Sequence, residues 1–219
     1  MLSISQLFYR NIVQIDRGNY FYCLGRMRLC QLTIKGNNNI VNISKNTKMR
    51  RCKIIVTGNN NSINIGEECD LHNTTIHIDN VGGKITIGNC STIAGATIAS
   101  YEPHEINISS DCMLSYGIEI RNTDSHKIIN VDSGEWLNQG RPIYIESHVW
   151  LAARCTILKG TQIGHDSIIG ANSLVSGKIP SHVIATGQPA KIIRENVSWN
   201  RESVIPNKSR ASSKAHLTP

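Results

Sequence analysis

The chain has 219 residues, 40% of them apolar, which suits a single domain large enough to bury a core. Aromatic residues make up only 5%, and Ile and Val supply most of the apolar bulk, a composition that favours strands over helices. The formal net charge of +7 is concentrated towards the C-terminus, without the basic stripe and interleaved aromatic residues that a nucleic-acid partner requires.

The seven cysteines indicate a reducing environment. Their number is odd and no two form a C-x-x-C pair, so neither a disulfide framework nor a zinc knuckle is predicted. Reduced thiols are typical of cytosolic proteins. The N-terminal segment MLSISQLFYRNIVQI lacks a charged region and a cleavage site, and no apolar run reaches the length of a membrane span. We therefore expect a cytoplasmic protein that does not cross a membrane.

In chain order, residues 1–35 come first, and their mixed aromatic and aliphatic side chains predict a cap on one end of the domain. A repeat begins at residue 36 and its segments are GNNNIVNI (36–43), GNNNSINI (58–65), GGKITI (82–87) and HEINI (104–108). Their final isoleucines are Ile43, Ile65, Ile87 and Ile108, with spacings of 22, 22 and 21 residues. The asparagine triplets suit turns, because Asn tolerates positive φ, and can also form ladders between repeats.

The repeat is then interrupted by an insertion. The next matching segment, RPIYI, ends at Ile145, which is 37 residues after Ile108, or one period plus about fifteen residues. The added stretch runs from about 126 to 142 and begins at His126, inside the polar sequence N-T-D-S-H. Long loops in a compact repeat protein usually carry function.

After Ile145 the period tightens to six residues. The blocks IESHVW, LAARCT, ILKGTQ, IGHDSI, IGANSL and VSGKIP run without a gap from 145 to 180, and each begins with an aliphatic residue. A short strand that points this residue inward, followed by a tight turn, makes one side of a triangular coil. Successive coils stack about 4.8 Å apart and bury their apolar faces against one another. We therefore predict an all-β, parallel β-helix.

The cysteines fit the same pattern. Cys69, Cys112 and Cys155 each follow an aliphatic residue by four positions, where other blocks carry Thr161, Ser167 or Ser173. We expect them to be small buried residues rather than ligands or nucleophiles.

Three further motifs indicate a chemical function. They are N-T-D-S-H (122–126), S-H-V-W-L-A (147–152) and H-V-I-A-T-G-Q-P-A-K-I-I-R (182–194). With the six hexapeptides, they resemble the left-handed β-helix family of acetyl-CoA-dependent O-acetyltransferases over residues 36–195. The resemblance implies a left-handed coil, acetyl-CoA as cosubstrate without a metal, and a homotrimer with sites between subunits. Residues 196–219 remain as a flexible basic tail.

The resemblance makes His126 the catalytic base and places Trp150 in the catalytic site. A histidine suits the removal of a proton from a hydroxyl that attacks a thioester, because it titrates near neutral pH. Trp150 ends its hexapeptide block rather than starting it, so we expect it to contact the acetyl group or the pantetheine arm instead of the core.

The candidate cofactor residues follow from the same motifs. Pro189, Lys191 and Arg194 lie in the segment that resembles the coenzyme A grip, and the two cations would pair with phosphate groups. By resemblance alone, Ala152 and Gly170 lie where the pantetheine arm passes close to the backbone.

For the acceptor, the resemblance implies a carbohydrate hydroxyl. The spacing of His126 and Trp150 is similar to that of enzymes that acetylate sialic acid in bacterial capsules, but galactoside and maltose acetyltransferases share it. Basic residues near the site would suit an acidic saccharide: Arg121, Lys127, Arg141 and Arg154. Asn122, Asp124, Trp136 and Arg141 are the candidate acceptor contacts, and for Asp124 we favour a turn role over orienting His126.

Two other classes stay open at this point. A metalloenzyme like the γ-type carbonic anhydrases would use His72 and His77, which have the right separation but no upstream histidine. A non-catalytic β-helix would need a flat face of repeated threonines or a secretion signal, and neither is found.

Overall fold

The computed structural model describes residues 10–202, in which every regular element is a β-strand. The first twelve strands are β1 (Ile12–Ile15), β2 (Tyr20–Cys23), β3 (Arg26–Arg28), β4 (Gln31–Asn37), β5 (Ile40–Ile43), β6 (Lys48–Arg50), β7 (Lys53–Asn59), β8 (Ser62–Ile65), β9 (Asp70–His72), β10 (Thr75–Val81), β11 (Lys84–Ile87) and β12 (Thr92–Ile93).

Thirteen further strands follow, and within the six-residue repeat most are two residues long. They are β13 (Ala96–Ser100), β14 (Glu105–Ile108), β15 (Met113–Leu114), β16 (Ile118–Arg121), β17 (Ile143–Ile145), β18 (Trp150–Leu151), β19 (Thr156–Ile157), β20 (Gln162–Ile163), β21 (Ile168–Ile169), β22 (Leu174–Val175), β23 (Lys178–Ile179), β24 (Val183–Gly187) and β25 (Ala190–Glu195).

Every third strand belongs to the same sheet, so the chain coils around a triangular prism. Sheet A has the order β1-β4-β7-β10-β13-β16-β19-β22, and sheet B the order β2-β5-β8-β11-β14-β17-β20-β23. Sheet C has the order β3-β6-β9-β12-β15-β18-β21-β24-β25, in which only β25 is antiparallel to its neighbour. We name the corners of the prism the A–B, B–C and C–A edges. The predicted parallel β-helix is confirmed.

The core consists of columns of aliphatic side chains from all three sheets. In sheet B, for example, Ile43, Ile65, Ile87 and Ile108 are paired in direct register from coil to coil and all are buried. Because the inward residues of each strand lie opposite their counterparts in the next coil, the apolar faces cover one another by stacking. The isoleucine period of the sequence is therefore the period of the core.

A buried amide ladder supports one edge of the first coils. The Asn61 backbone N–H donates to Asn39 Oδ1 at 3.0 Å, and the Gly83 N–H donates to Asn61 Oδ1 at 2.7 Å. Both asparagine side chains are buried. The ladder satisfies polar groups that would otherwise be costly to bury, and it confirms the role expected for the triplets.

Cysteine side chains also lie inside the prism. Cys69, Cys112 and Cys155 are at most 1% exposed, as predicted. Burial raises the pKa of all three thiols, and that of Cys112 reaches about 11. They are therefore neutral packing residues rather than reactive ones.

Two expectations about the ends of the domain need correction. The segment before residue 36 was expected to be a cap, but β1, β2 and β3 pair in register with β4, β5 and β6. These strands form a regular first coil, although residues 1–9 lie outside the described part of the chain. Residues 196–202 of the predicted flexible tail are packed against the prism, and residues 203–219 again lie outside the description.

Within residues 10–202 there is no helix with the length and apolarity that a membrane crossing would require.

Candidate active site

The insertion leaves the prism at the A–B edge, between β16 and β17, and its stem is fixed by Asn122. This side chain is fully buried. Its amide donates to Ser100 Oγ at 3.0 Å, Glu102 O at 3.1 Å and His104 O at 3.0 Å, and its Oδ1 accepts from the Tyr101 N–H at 3.2 Å. Asn122 therefore fixes the stem of the loop from within, and its contact with the acceptor stays a prediction.

Glu102 ties together the two ends of the inserted loop. Its Oε1 accepts from Thr123 Oγ1 at 2.6 Å, and its Oε2 accepts from the Gly140 N–H at 2.8 Å. A Cβ at Gly140 would lie 2.7 Å from the Glu102 carboxyl carbon, so only glycine permits this close approach. The buried stem holds the loop in one orientation on the A–B edge.

Asn138 fixes the backbone around His126. Its Nδ2 donates to His126 O at 2.8 Å and to Asp124 Oδ2 at 2.9 Å, while its Oδ1 accepts from the Ile128 N–H at 2.6 Å. The His126 imidazole is exposed, and no other residue among 10–202 forms a hydrogen bond with it. The main chain is held at His126 O and at the Ile128 N–H, while the ring is left available to a substrate.

Asp124 connects the loop to the next coil. Its carboxylate pairs with the ammonium group of Lys159, which also donates to Asn138 O at 2.7 Å. The hydrogen bonds from Lys159 and then Asn138 lower the pKa of Asp124. Asp124 does not touch His126. Its ion pair and its bond to Asn138 give it a structural role in the loop, consistent with the turn role that we favoured.

The rest of the insertion is a small hairpin. Ile129 and Trp136 form an antiparallel bridge, and the Asn130 N–H donates to Glu135 O at 2.9 Å. The Trp136 indole N–H donates to Asn138 Oδ1 at 2.8 Å, and the Lys127 ammonium lies 4.6 Å from the centre of its ring. The hairpin exposes aliphatic side chains at Ile128, Ile129, Val131 and Leu137.

Two of the basic residues near the site are already bonded. Arg121 pairs with Glu119, and Arg154 donates from Nε to Asn172 Oδ1 at 2.7 Å. Arg141 is exposed beside Gly160, with no ion pair to any residue among 10–202. Within this group, Lys127 and Arg141 are the exposed cations that form no hydrogen bond or ion pair with a side chain among residues 10–202.

Trp150 points outward from sheet C, where it is paired in register with Met113 and Ile168. The ring is half-buried because Trp199 packs on it, with ring centres 6.1 Å apart. The Trp199 indole N–H donates in turn to His148 O at 2.8 Å. The sequence correctly placed Trp150 outside the core but gave no indication of Trp199.

Trp199 belongs to a strap, residues 196–202, that runs along the B–C edge. The Val197 N–H donates to His182 O at 3.1 Å, and further along the edge Arg201 Nε donates to Asp111 Oδ1 at 2.9 Å. The other guanidinium nitrogens of Arg201 bond to Thr92 and to corner carbonyls. The strap therefore crosses several coils. A tryptophan and an arginine inside a polar tail were the only signals for it.

The candidate cofactor residues fall into two columns. Ala152 and Gly170 follow β18 and β21 at the C–A edge, and Thr186 and Lys191 extend this line into the closing hairpin. Arg194 pairs with Ile184 at the end of the column that contains Trp150 and Ile168. Lys191, Arg194 and Pro189 are exposed.

Gly170 has a structural reason to be small. A Cβ at this position would lie 2.6 Å from Thr186 Oγ1, so the next coil already occupies the space. Gly170 thus permits close stacking at the C–A edge whether or not a cofactor passes there.

His126 and Trp150 lie at different edges of the prism. The insertion that carries His126 leaves at the A–B edge, whereas Trp150 begins a strand of sheet C just after the B–C edge. The two histidines of the carbonic-anhydrase hypothesis do not converge either, because His72 lies on sheet C and His77 on sheet A.

Comparison with known proteins gives consistent likenesses. The family of bacterial transferase hexapeptides (six repeats) matches residues 142–177. A polysialic acid O-acetyltransferase from Neisseria meningitidis is 41% identical over 113 residues, which cover 51% of this chain and 53% of that protein. The chain spans about half the length of the curated relatives that it matches.

Two solved structures match over nearly the whole chain. The polysialic acid O-acetyltransferase OatWY is 30% identical with a TM-score of 0.84, and the match covers 93% of this chain and 97% of that one. The polySia-specific acetyltransferase NeuO is 30% identical with a TM-score of 0.83, covering 90% and 91%.

Asn138→Ala should loosen the loop without unfolding the prism, because it removes bonds to Asp124, His126 and Ile128 but buries no cavity. We expect faster hydrogen–deuterium exchange across residues 124–141, with little change in the β-helix strands. Gln139→Ala, one residue away and exposed, is the control and should leave exchange unchanged. Equal exchange in the two variants would show that Asn138 does not order the loop.

Proposed function

Because the chain belongs to the left-handed β-helix family of hexapeptide-repeat O-acetyltransferases, we propose that it acetylates a hydroxyl of polysialic acid, using acetyl-CoA. The observation that carries the proposal is the match of 93% of this chain to OatWY and of 90% to NeuO. The N-T-D-S-H loop and its exposed histidine add a group suited to the chemistry.

In the proposed mechanism His126 is the general base. The acceptor hydroxyl attacks the thioester carbonyl while the imidazole takes the hydroxyl proton, and the C–S bond then breaks to release the coenzyme A thiolate, which regains that proton. A thioester is already activated, so no covalent enzyme intermediate is required. A base must have a fixed position to act efficiently, and the bonds that join Asn138 to His126 O and to the Ile128 N–H support that requirement.

The acceptor side of the proposal rests on Trp136, Arg141 and Lys127. An anionic sugar chain would meet two exposed cations, Lys127 and Arg141, beside an amphipathic indole. Asn122 and Asp124 shape the loop from within. Neutral galactoside-type or maltose-type acceptors would gain nothing from this charge, so acceptor turnover should fall steeply as salt is added.

The cofactor side of the proposal uses the two columns that end in the closing hairpin. Acetyl-CoA would lie with its pantetheine arm along Ala152 and Gly170, with Trp150 near the acetyl group. Lys191, Arg194 and Pro189 would contact the nucleotide end, where the cations can pair with phosphate oxygens.

We also propose a homotrimer in which each site lies between two subunits. His126 and Trp150 lie at different edges of one prism, and a single prism offers no deep cleft. The hairpin exposes Val131 at 95% and Ile129 at 58%, an apolar surface that a neighbouring subunit would cover. Three copies around a threefold axis close all such contacts.

For location we propose the cytoplasm. Cys30 and Cys52 lie next to each other in the core of neighbouring coils, and both are reduced thiols in the structure. Thiols persist in this state in reducing compartments.

His126→Ala should lower turnover with acetyl-CoA and polysialic acid by about 10²-fold or more, as expected for loss of a general base. Coenzyme A binding, measured by calorimetry, should be retained because the base acts on the acceptor. His72→Ala removes an exposed imidazole from another face and should keep full activity. Near-normal turnover of His126→Ala would exclude this histidine as the base.

Lys191→Ala and Arg194→Ala should raise the apparent KM for acetyl-CoA. If the two cations pair with the 3′-phosphate, dephospho-coenzyme A derivatives should bind the wild type and the variants equally well. Lys178→Ala, an exposed lysine on sheet B, is the matched control. A penalty that persists with the dephospho compound would place Lys191 and Arg194 away from that phosphate.

The shared site can be tested by complementation of His126→Ala with Trp150→Ala. After joint denaturation and refolding of equal amounts, roughly a quarter of all sites would recover both native residues if they come from different chains. No mixed trimer would contain an intact site if both come from one chain. Activity near a quarter of wild type supports the proposal, and activity equal to that of the separate variants excludes it.

A further inference from the structure

A second cluster of functional side chains lies at the B–C edge, next to Trp150 and away from the inserted loop that carries His126. Three of the eight histidines gather here around one carboxylate. His148, Asp166 and His182 have φ values of 57°, 61° and 59°, which mark the same corner position in three successive coils. His165 precedes Asp166 directly. Since successive coils are about 4.8 Å apart, the fold itself brings these groups together.

The inner part of the cluster is formed by His165, Asp166 and His182. His165 Nδ1 lies 2.8 Å from Asp166 Oδ2, and the two imidazole rings are edge to face with centres 4.8 Å apart. One ligand atom from each of the three residues lies within 4.8 Å of the others. The His182 N–H also donates to His165 O at 3.0 Å, so the backbone fixes the spacing of the two histidines.

The second oxygen of Asp166 is held from the opposite side. Asp166 Oδ1 accepts from Ser198 Oγ at 2.8 Å and lies 3.2 Å from His148 Nδ1. Carboxylate ligands in metal sites are commonly fixed in this way, because an outer hydrogen bond orients the oxygen that faces the ion. The carboxylate is thus pre-oriented towards His165 and His182.

We propose that His165, Asp166 and His182 bind a divalent transition-metal ion, with Zn²⁺ as the best match and water at a fourth position. Two imidazole nitrogens and one carboxylate oxygen are ligands that suit zinc. They do not suit Mg²⁺ or Ca²⁺, which prefer oxygen ligands alone. Tetrahedral zinc with bonds of about 2.0–2.2 Å sets its ligand atoms roughly 3.3 Å apart. Small rotations of the three partly exposed side chains would bring their ligand atoms from within 4.8 Å to this spacing. The sequence resemblance implied no metal, and this proposal departs from that expectation.

The ion would also fasten the strap. Ser198 bonds to Asp166, and the next residue, Trp199, packs on His148 at 4.3 Å and on Trp150 at 6.1 Å between ring centres. Fixing Asp166 therefore fixes residues that cover Trp150. Zinc binding should slow hydrogen–deuterium exchange in residues 196–202, while the inserted loop at the A–B edge stays unchanged.

The test uses the untagged full-length protein after chelator treatment and dialysis. Calorimetric titration with ZnCl₂ should show one ion per chain, and Co²⁺ should give the visible absorption bands of a tetrahedral site. His165→Ala and His182→Ala should each weaken binding by more than tenfold, and His148→Ala by about 10–100-fold as an outer partner. His72→Ala is the matched control, because His72 pairs with Asp70 at 2.9 Å but has no second histidine beside it.

Thermal unfolding without metal checks that each variant is folded, and His165→Gln and His182→Gln provide milder replacements. The absence of stoichiometric zinc binding by the wild type would overturn the proposal. So would equal affinity in the His165→Ala and His72→Ala variants. Binding that is lost only in Cys90→Ser would assign the metal to the exposed thiol and equally overturn the site at the B–C edge.

Discussion

The structure depends on one constraint, the fixed spacing of parallel strands along the prism. Each residue faces its counterpart about 4.8 Å away in the next coil, so a residue type that recurs with the period of the sequence forms a column along the prism. Isoleucine columns supply the core, and the ladder through Asn39, Asn61 and Gly83 satisfies buried amides. The same spacing aligns Ala152 with Gly170 and places Asp166 between His148 and His182 at the B–C edge. Core, edges and candidate sites all follow from this repeat.

The insertion interrupts the repeat, and buried polar groups determine where the chain leaves the prism. Asn122 and Glu102 are not part of the proposed chemistry, yet they determine where the loop begins and ends. Burying an amide without partners costs free energy, so the bonds of Asn122 permit one arrangement of the stem and oppose others. His126 gains a defined position from a network that does not include its own ring. The His126 ring is therefore exposed to solvent although its backbone is held in place.

Much of this was predictable from the sequence, and the exceptions have physical reasons. The strands, the buried cysteines and the position of the insertion follow from periodicity, because each inward residue repeats visibly. The first coil escaped notice since β1, β2 and β3 lack the asparagine triplets that mark later coils. The strap was missed because an element that lies across the coils has no period. The role of Asn122 could not be inferred, since its partners Ser100 and His104 lie one coil away.

The buried thiols give the solenoid a property beyond packing. Cys30, Cys52, Cys69, Cys112 and Cys155 occupy different positions along the prism, all at most 2% exposed, while Cys90 is exposed. A coil in such an array can open from its ends without melting the whole stack. Each thiol would then meet an alkylating reagent only when its own coil opens, with Cys90 as the reference for intrinsic reactivity. The order in which the cysteines are alkylated would show the end of the prism from which the coils unfold.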